Sequence, residues 1–199
     1  MVYMKNYPRV FEPPKTSFFL LGMRGVGKST LVRQHFKNAK VVDLLDESLY
    51  QLYLSKPHAF AEDLSSVRSG DWVIVDEIQR LPQLLNEVHR FIEQKKIRFA
   101  LLGSSARKLR RAGVNLLGGR AAQKFLHPFL PEELGADFLL EKVLRNGSIP
   151  LVWTSDDSKE RLLAYLQLYL KEEIQAEAIV GTCRDLPGSC PSRRCFTRR

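Results

Sequence analysis

The sequence predicts an α/β fold: a five-stranded parallel sheet with helices on both faces, followed by a helical extension. Two observations carry this prediction. From residue 17 onward, short apolar runs alternate with segments of helical periodicity, and each run has the length of a buried strand. Strands separated by helical segments favour a parallel sheet that is covered on both sides.

The predicted strands are 17–21, 39–44, 72–76, 98–102 and 122–126. The predicted helices are 28–36, a stretch around 49–54, one starting at Pro82, a short basic helix over 106–111, a start at 131–134, and a long helix over 158–179. The helix after Pro82 has apolar residues on one face, namely Leu84, Leu85, Val88, Phe91 and Ile92. The last helix is apolar on more than one side, which indicates a surface that packs against another part of the protein.

Bulk composition excludes several classes of protein. The chain has 199 residues, 44% of them hydrophobic and 27% charged, which is typical of one globular domain with an appendage. No apolar run approaches the roughly 20 residues of a membrane helix. The first residues also lack the apolar centre of a secretory signal. We therefore expect a cytoplasmic protein with no membrane partner.

Charge and cysteines are concentrated near the end of the sequence. Residues 181–199 hold five arginines and one acid, and so supply +4 of the net charge of +9. The remaining charge suits a protein that holds a polyphosphate, so nucleic acid is an alternative partner with weak support. The cysteines, Cys183, Cys190 and Cys195, match no zinc-ligand spacing and are interpreted as incidental thiols.

The first chemical motif is the segment from Gly22 to Ser29, which satisfies G-x-x-x-x-G-K-[ST] between a strand and a helix. The glycines let backbone N–H groups turn towards phosphates, and the following helix N-terminus adds further donors. Lys28 supplies a cation at the terminal phosphates, and Ser29 offers a hydroxyl to Mg²⁺. The motif predicts a P-loop NTPase fold that binds ATP and Mg²⁺, against the alternative of a chance glycine-rich turn. The predicted nucleotide-binding residues are Gly22, Arg24, Gly25, Val26, Gly27, Lys28, Ser29 and Thr30.

The second motif is an apolar strand that ends in two carboxylates, Asp76 and Glu77. Asp76 is predicted to hold Mg²⁺ together with Ser29, directly or through water. Glu77 is placed to act as a general base on the attacking water. A base at this position favours hydrolysis over a small-molecule kinase.

The next strand ends in two hydroxyls, Ser104 and Ser105. A polar side chain there can contact the γ-phosphate and the attacking water. We predict this role for Ser104, with Ser105 as the reserve. The alternative is that the two serines cap the following helix.

With these motifs placed, the chain resembles a large family of bacterial and archaeal AAA-superfamily ATPases that carry a C-terminal domain of unknown function. The resemblance spans 17–180 and rests on LLGMRGVGKST (20–30), VDEIQRLP (75–82), LLGSSARKL (101–109), GVNLLGGRA (113–121) and PFLPEEL (128–134). It implies an ATP-driven switch or motor. It also implies that residues 169–174 begin the second domain and that Arg120 is an arginine finger acting on a neighbouring subunit in a homo-oligomer. The alternative for Arg120 is a surface residue without a role.

The sequence also predicts a division of the chain. We expect an N-terminal extension (1–16), an ATPase core (17–130), a helical extension with the start of a truncated second domain (131–180) and a disordered tail (181–199). The abrupt change of composition after Val180 suggests a shift of reading frame there, which would leave the apolar side chains of Leu163, Leu166 and Leu170 without a partner.

The function predicted from these motifs is Mg²⁺-dependent ATP binding and hydrolysis that drives a conformational switch. The first alternative is a chain that binds nucleotide without turning it over. The second is a regulatory protein associated with nucleic acid.

Overall fold

A computed structural model of the chain describes residues 7–104, 109 and 117–169. Its strands are β1 (Phe18–Leu21), β2 (Lys40–Asp43), β3 (Trp72–Asp76), β4 (Arg98–Gly103) and β5 (Ala122–Phe125). Its helices are α1 (Lys28–His35), α2 (Glu47–Ser55), α3 (His58–Asp63), α4 (Leu84–Lys95), α5 (Pro131–Leu134), α6 (Leu140–Asn146), α7 (Pro150–Trp153) and α8 (Ser158–Tyr169).

The five strands form one parallel sheet in the order β2-β3-β4-β1-β5. The end of β1, Leu21, is in register with Gly103 of β4 and with Phe125 of β5. Because all strands run in the same direction, their carboxyl ends lie along one edge of the sheet. The predicted fold class is confirmed, including the helical extension after β5.

Helices cover both faces of the sheet, as expected for apolar strands that are buried on both sides. Phe18 and Leu20 of β1 pack with Leu31 and Val32 of α1 on one face. The intervening residues of β1 pack into a larger core on the other face, which is built from α2, α3 and α4. All four residues of β1 are buried, which explains its uninterrupted apolar sequence.

The apolar face predicted for the helix after Pro82 is confirmed. Leu84, Leu85, Val88 and Phe91 are buried, and Ile92 packs against the same core. The helix begins at Leu84, and a turn of 3₁₀-helix over Ile78–Arg80 precedes it. The six-residue helix α3 was missed by the sequence analysis, since so short a segment shows no helical period.

The chain divides into two compact units, Met1–Asp156 and Asp157–Arg199. Helix α8 lies in the second unit and begins at the predicted residue, Ser158. Several predictions lie outside the described residues: Ser105, most of the basic helix over 106–111, the end of the long helix and the tail from Gly181. The predicted domain boundaries stay predictions.

Candidate nucleotide-binding site

The glycine-rich segment forms a tight loop between β1 and α1. Gly25 and Gly27 have φ angles of 77° and 88°, a left-handed conformation that glycine adopts without steric cost. At Gly22 the constraint is close packing, because a Cβ there would lie 2.3 Å from the carbonyl oxygen of Leu126. Each of these positions therefore excludes a larger side chain for a physical reason.

Lys28 begins α1 and is almost fully buried, with 6% of its surface exposed. Its Nζ donates hydrogen bonds to the carbonyl oxygens of Gly22 (2.7 Å) and Met23 (2.9 Å). A cation is thus held inside the loop, at the N-terminus of a helix whose first turn contains no acidic residue. The first backbone N–H groups of such a helix have no partner within it and attract anions.

A cavity of about 360 Å³ lies against this loop. It is lined by Arg24, Gly25, Gly27, Lys28, Ser29, Thr30, Leu45 and Glu77. The structure therefore brings most of the predicted phosphate-binding residues together with the predicted general base. The loop glycines with positive φ, the buried ammonium and the Ser29 hydroxyl fit a polyphosphate with its divalent cation.

Asp76 ends β3 and Glu77 follows it, and both residues are buried. Asp76 is buried, and its Oδ1 accepts a hydrogen bond of 3.1 Å from the Glu77 backbone N–H. Glu77 has φ 55° and ψ 41°, a left-handed conformation that is uncommon for a residue with a side chain. Such strain, on the order of 1–3 kcal/mol, persists where the surrounding structure enforces it and is concentrated at functional sites.

Gln79 connects Glu77 to the neighbouring strand. Its Nε2 donates to Glu77 Oε2 and, over 3.1 Å, to Ser104 Oγ. The side chains of Glu77 and Ser104 are thereby joined through a single amide. Gln79 belongs to the Asp-Glu-Ile-Gln segment, but its role was not predictable from the sequence, because a bridge between adjacent strands is not visible in local spacing.

The N-terminal segment before β1 is anchored on the phosphate loop. The Arg9 guanidinium donates to the carbonyl oxygens of Val26 (2.7 Å) and His127 (2.6 Å), and pairs with Glu133 at 3.0 Å. The Arg9 and Glu133 side chains are only 9% and 2% exposed. This contact was also not predictable from the sequence, since Arg9 and Glu133 are 124 residues apart.

A second cavity, of about 370 Å³, adjoins the first and shares Gly27 and Thr30 with it. It is lined by Tyr7, Arg9, Val26, Gly27, Thr30, Leu31, Gln34, Phe129, Pro150 and Thr154. The rings of Tyr7 and Phe129 lie 5.0 Å apart in its wall. The N-terminal segment, the phosphate loop and the extension after β5 thus meet at one cavity.

Arg120 lies away from these residues. It precedes β5, whose first residue is in register with the start of β1, so it lies at the sheet edge opposite to the phosphate loop. Its side chain pairs with Glu93 at the end of α4, and both groups are about half exposed. The hydrogen bond from Arg120 lowers the pKa of Glu93 below its ordinary value.

Two negative findings apply to the part of the chain that the structure describes. Among residues 7–104, 109 and 117–169, no helix is long and apolar enough to span a bilayer. No group of three or more His, Cys, Asp or Glu side chains is arranged there to bind a metal ion. The metal-binding role predicted for Ser29 and Asp76 stays a prediction.

Comparison with solved structures finds matches at low sequence identity. Two mutant forms of RuvB from Thermotoga maritima have 17% and 19% identity, with TM-scores of 0.47 and 0.45; each alignment covers 81% of this chain and 56% of the other. ORC2 from Aeropyrum pernix, in its ADP form, has 17% identity and a TM-score of 0.43, with 82% and 58% covered. The chain therefore spans little more than half the length of these proteins. No curated protein matches the sequence.

A family model described as an AAA domain matches residues 14–135, which is more than half of the chain. The matched segment contains the phosphate loop, the carboxylates at the end of β3 and the hydroxyl that follows β4. The chain therefore belongs to the AAA-domain family.

Proposed function

We propose that the chain binds ATP with Mg²⁺ and hydrolyses it, and that the bound nucleotide drives a conformational switch. The observation that supports this proposal is that Lys28 of the phosphate loop and Glu77, which follows β3, line the same cavity. A phosphate-binding cation and a carboxylate base on one small cavity are what in-line attack by water on a γ-phosphate requires.

The proposed roles follow from the contacts of each residue. The loop amides and the N-terminus of α1 bind the phosphates. Lys28 exchanges the carbonyl oxygens of Gly22 and Met23 for phosphate oxygens, which neutralise its buried charge. Ser29 and Asp76 would hold Mg²⁺, which withdraws charge from the phosphates. Glu77 accepts the proton of the attacking water.

The second cavity is the proposed site of the base and ribose. It adjoins the phosphate loop through Gly27 and Thr30, and its wall carries the aromatic rings of Tyr7 and Phe129. Flat apolar rings suit a purine, since cofactor sites are mostly apolar with a few placed polar groups. Because this cavity includes residues of the N-terminal segment and of α7, nucleotide binding there can move both relative to the sheet. Such a movement is the proposed switch.

Arg120 supports the proposal that the active form is a homo-oligomer. At the sheet edge opposite to the phosphate loop, it cannot reach the cavity of its own subunit. It could supply the finger cation to a neighbour, a contribution of roughly 10³–10⁵ in rate. The same observation favours the second candidate function, in which a chain that does not oligomerise binds nucleotide without turning it over.

The proposal is tested by binding and turnover measured on one preparation. We expect ATP binding to strengthen with Mg²⁺, phosphate release to stop on chelation, and specific activity to rise with protein concentration as subunits associate. Tight binding without phosphate release at any concentration would contradict hydrolysis and leave the second candidate.

A further inference from the structure

We propose that Gln79 is a positioning residue that sets the hydrogen-bonding direction of both Glu77 and Ser104 during attack on the γ-phosphate. This inference rests on the proposed ATPase function and adds a residue to it. Gln79 lies on the 3₁₀ turn directly after β3 and contacts the residue that follows β4. It therefore acts between the two adjacent strands that carry the predicted base and the predicted γ-phosphate contact.

The hydrogen-bond partners of the Gln79 amide determine which position its nitrogen occupies and which its oxygen. The Gln79 Nε2 has two N–H groups, and the contacts to Glu77 Oε2 and Ser104 Oγ use both of them. The opposite orientation would place Oε1 against a carboxylate oxygen, with an acceptor facing an acceptor. The carboxylate thus requires the orientation seen in the structure.

Two consequences follow for the groups that Gln79 contacts. At Glu77, Oε2 is engaged by the amide, which leaves Oε1 to accept the proton of water. At Ser104, Oγ accepts a hydrogen bond from Gln79, so the serine directs its own hydrogen to another acceptor. We assign that donor to a γ-phosphate oxygen. Gln79 thereby makes one residue an acceptor and the other a donor at the reacting centre.

The surroundings of Gln79 indicate that its two N–H donors, and not its oxygen, are the functional part of the amide. Within the described residues, Oε1 is buried and has no hydrogen-bond partner, which is costly for an amide oxygen. A Cβ on Gly103 would lie 2.6 Å from this Oε1, so a larger residue at the end of β4 would displace the amide from its position. The fold thus tolerates an unsatisfied oxygen and a glycine in a central strand to keep this side chain in place.

The neighbours of Gln79 keep the turn rigid. Ile78 is fully buried, and Arg80 donates to the carbonyl oxygen of Leu44 (2.7 Å) and pairs with Glu47 (3.0 Å). Gln79 is therefore fixed from both sides along the chain. A fixed amide limits the positions that Glu77 and Ser104 can take relative to each other.

The first test is Gln79→Leu, which keeps the volume of the side chain and removes both donors. We expect kcat for ATP hydrolysis to fall on the order of 10–100-fold, the cost of misplaced catalytic groups. ATP affinity should stay within about threefold, because Gln79 is outside the cavity lining and removal of a contact made only in the transition state leaves ground-state binding unchanged. The thermal midpoint should change little, because removal of the unsatisfied oxygen offsets the loss of the hydrogen bonds to Glu77 and Ser104. Gln83→Leu, the same change at an exposed residue nearby, is the matched control and should match wild type.

The second test uses the contact between Gly103 and the amide. Gly103→Ala should lower kcat by displacing Gln79, and should have no further effect in a Gln79→Ala background, where no amide remains to displace. Additive losses, or a Gln79→Leu variant as active as wild type, would overturn the inference while leaving the ATPase proposal intact. A parallel loss of affinity and kcat would also overturn it, since it would indicate a structural role. A wild-type chain that binds ATP without turnover removes both the ATPase proposal and this inference.

Discussion

Replacement of Arg9 by methionine tests how the N-terminal segment is tied to the phosphate loop. The substitution keeps an unbranched apolar stem and removes every polar contact of the guanidinium. Those contacts are the ion pair with Glu133 and the hydrogen bonds to the carbonyl oxygens of Val26 and His127. The Glu133 carboxylate, 2% exposed, would then lie buried without its cation.

The expected loss of stability can be estimated from these contacts. Removal of one partner from a buried ion pair costs about 3–5 kcal/mol. Glu133 keeps two backbone N–H donors, from Val10 (2.7 Å) and Leu130 (3.0 Å), which continue to stabilise its charge. We therefore expect the lower end, about 3 kcal/mol, and a decrease in Tm of about 6–12 °C at 2–4 °C per kcal/mol.

Thermal unfolding of wild type, Arg9→Met and a matched control measures this effect. The control is Arg145→Met, which removes an arginine from an exposed ion pair with Glu141, both side chains being more than 70% exposed. Exposed pairs contribute about 0–1 kcal/mol, so its Tm should change by no more than about 4 °C. ATP affinity should also fall in Arg9→Met, because the Val26 carbonyl of the phosphate loop loses its anchor.

The double substitution Arg9→Met with Glu133→Gln separates charge from packing. A neutral amide at position 133 needs no cation, so the double variant should be more stable than the sum of the single losses predicts. Equal Tm changes for Arg9→Met and Arg145→Met, or strictly additive losses in the double variant, would refute the proposed role of the buried pair.

Three further predictions use other contacts. Lys28→Ala should weaken ATP binding about 10–150-fold in a titration, since it removes a charge-assisted contact of about 1.5–3 kcal/mol, and unchanged affinity would count against the phosphate-loop assignment. Mixing Arg120→Ala with Lys28→Ala subunits should restore activity that neither variant has alone, whereas no recovery in demonstrably mixed oligomers would indicate a structural Arg120. Burial, and next the contact with Asp63, raises the pKa of Tyr53 above its ordinary value near 10. The unfolded chain therefore loses this proton at a lower pH than the folded chain, so the free energy of unfolding should decline as pH rises past about 10. Urea denaturation should show this decline, and the decline should be less steep in Tyr53→Phe. Equal slopes for the two proteins would contradict this prediction.

The fold was predictable because its strands carry strong local signals. β3 matches its predicted bounds, since four buried residues in a row are bounded by a turn at Ser69-Gly70 and by carboxylates. The strand order was not predicted. The position of β1 between β4 and β5 depends on packing among segments about 80–100 residues apart, which periodicity does not report.

The candidate site was also predictable only in part from the sequence. The motif residues were predictable because phosphate chemistry requires fixed residue types at fixed spacings along the chain. Gln79 and Arg9 were not, because each gains its role from a partner on another segment: Ser104 for the first, and Val26 with Glu133 for the second. An amide and a guanidinium are ordinary surface groups until the fold buries them, and burial is not encoded in local spacing.

Glu77→Gln tests the central claim most directly, because it changes one proton acceptor on the phosphate cavity and preserves the shape of the side chain. The measurement is single-turnover phosphate release at saturating ATP and Mg²⁺, with ATP affinity determined in parallel and Glu62→Gln as an exposed control. The account predicts affinity within about threefold of wild type and a hydrolysis rate lower by about 10²–10⁴, the contribution of a general base. A Glu77→Gln chain that hydrolyses ATP within about threefold of the wild-type rate would contradict it.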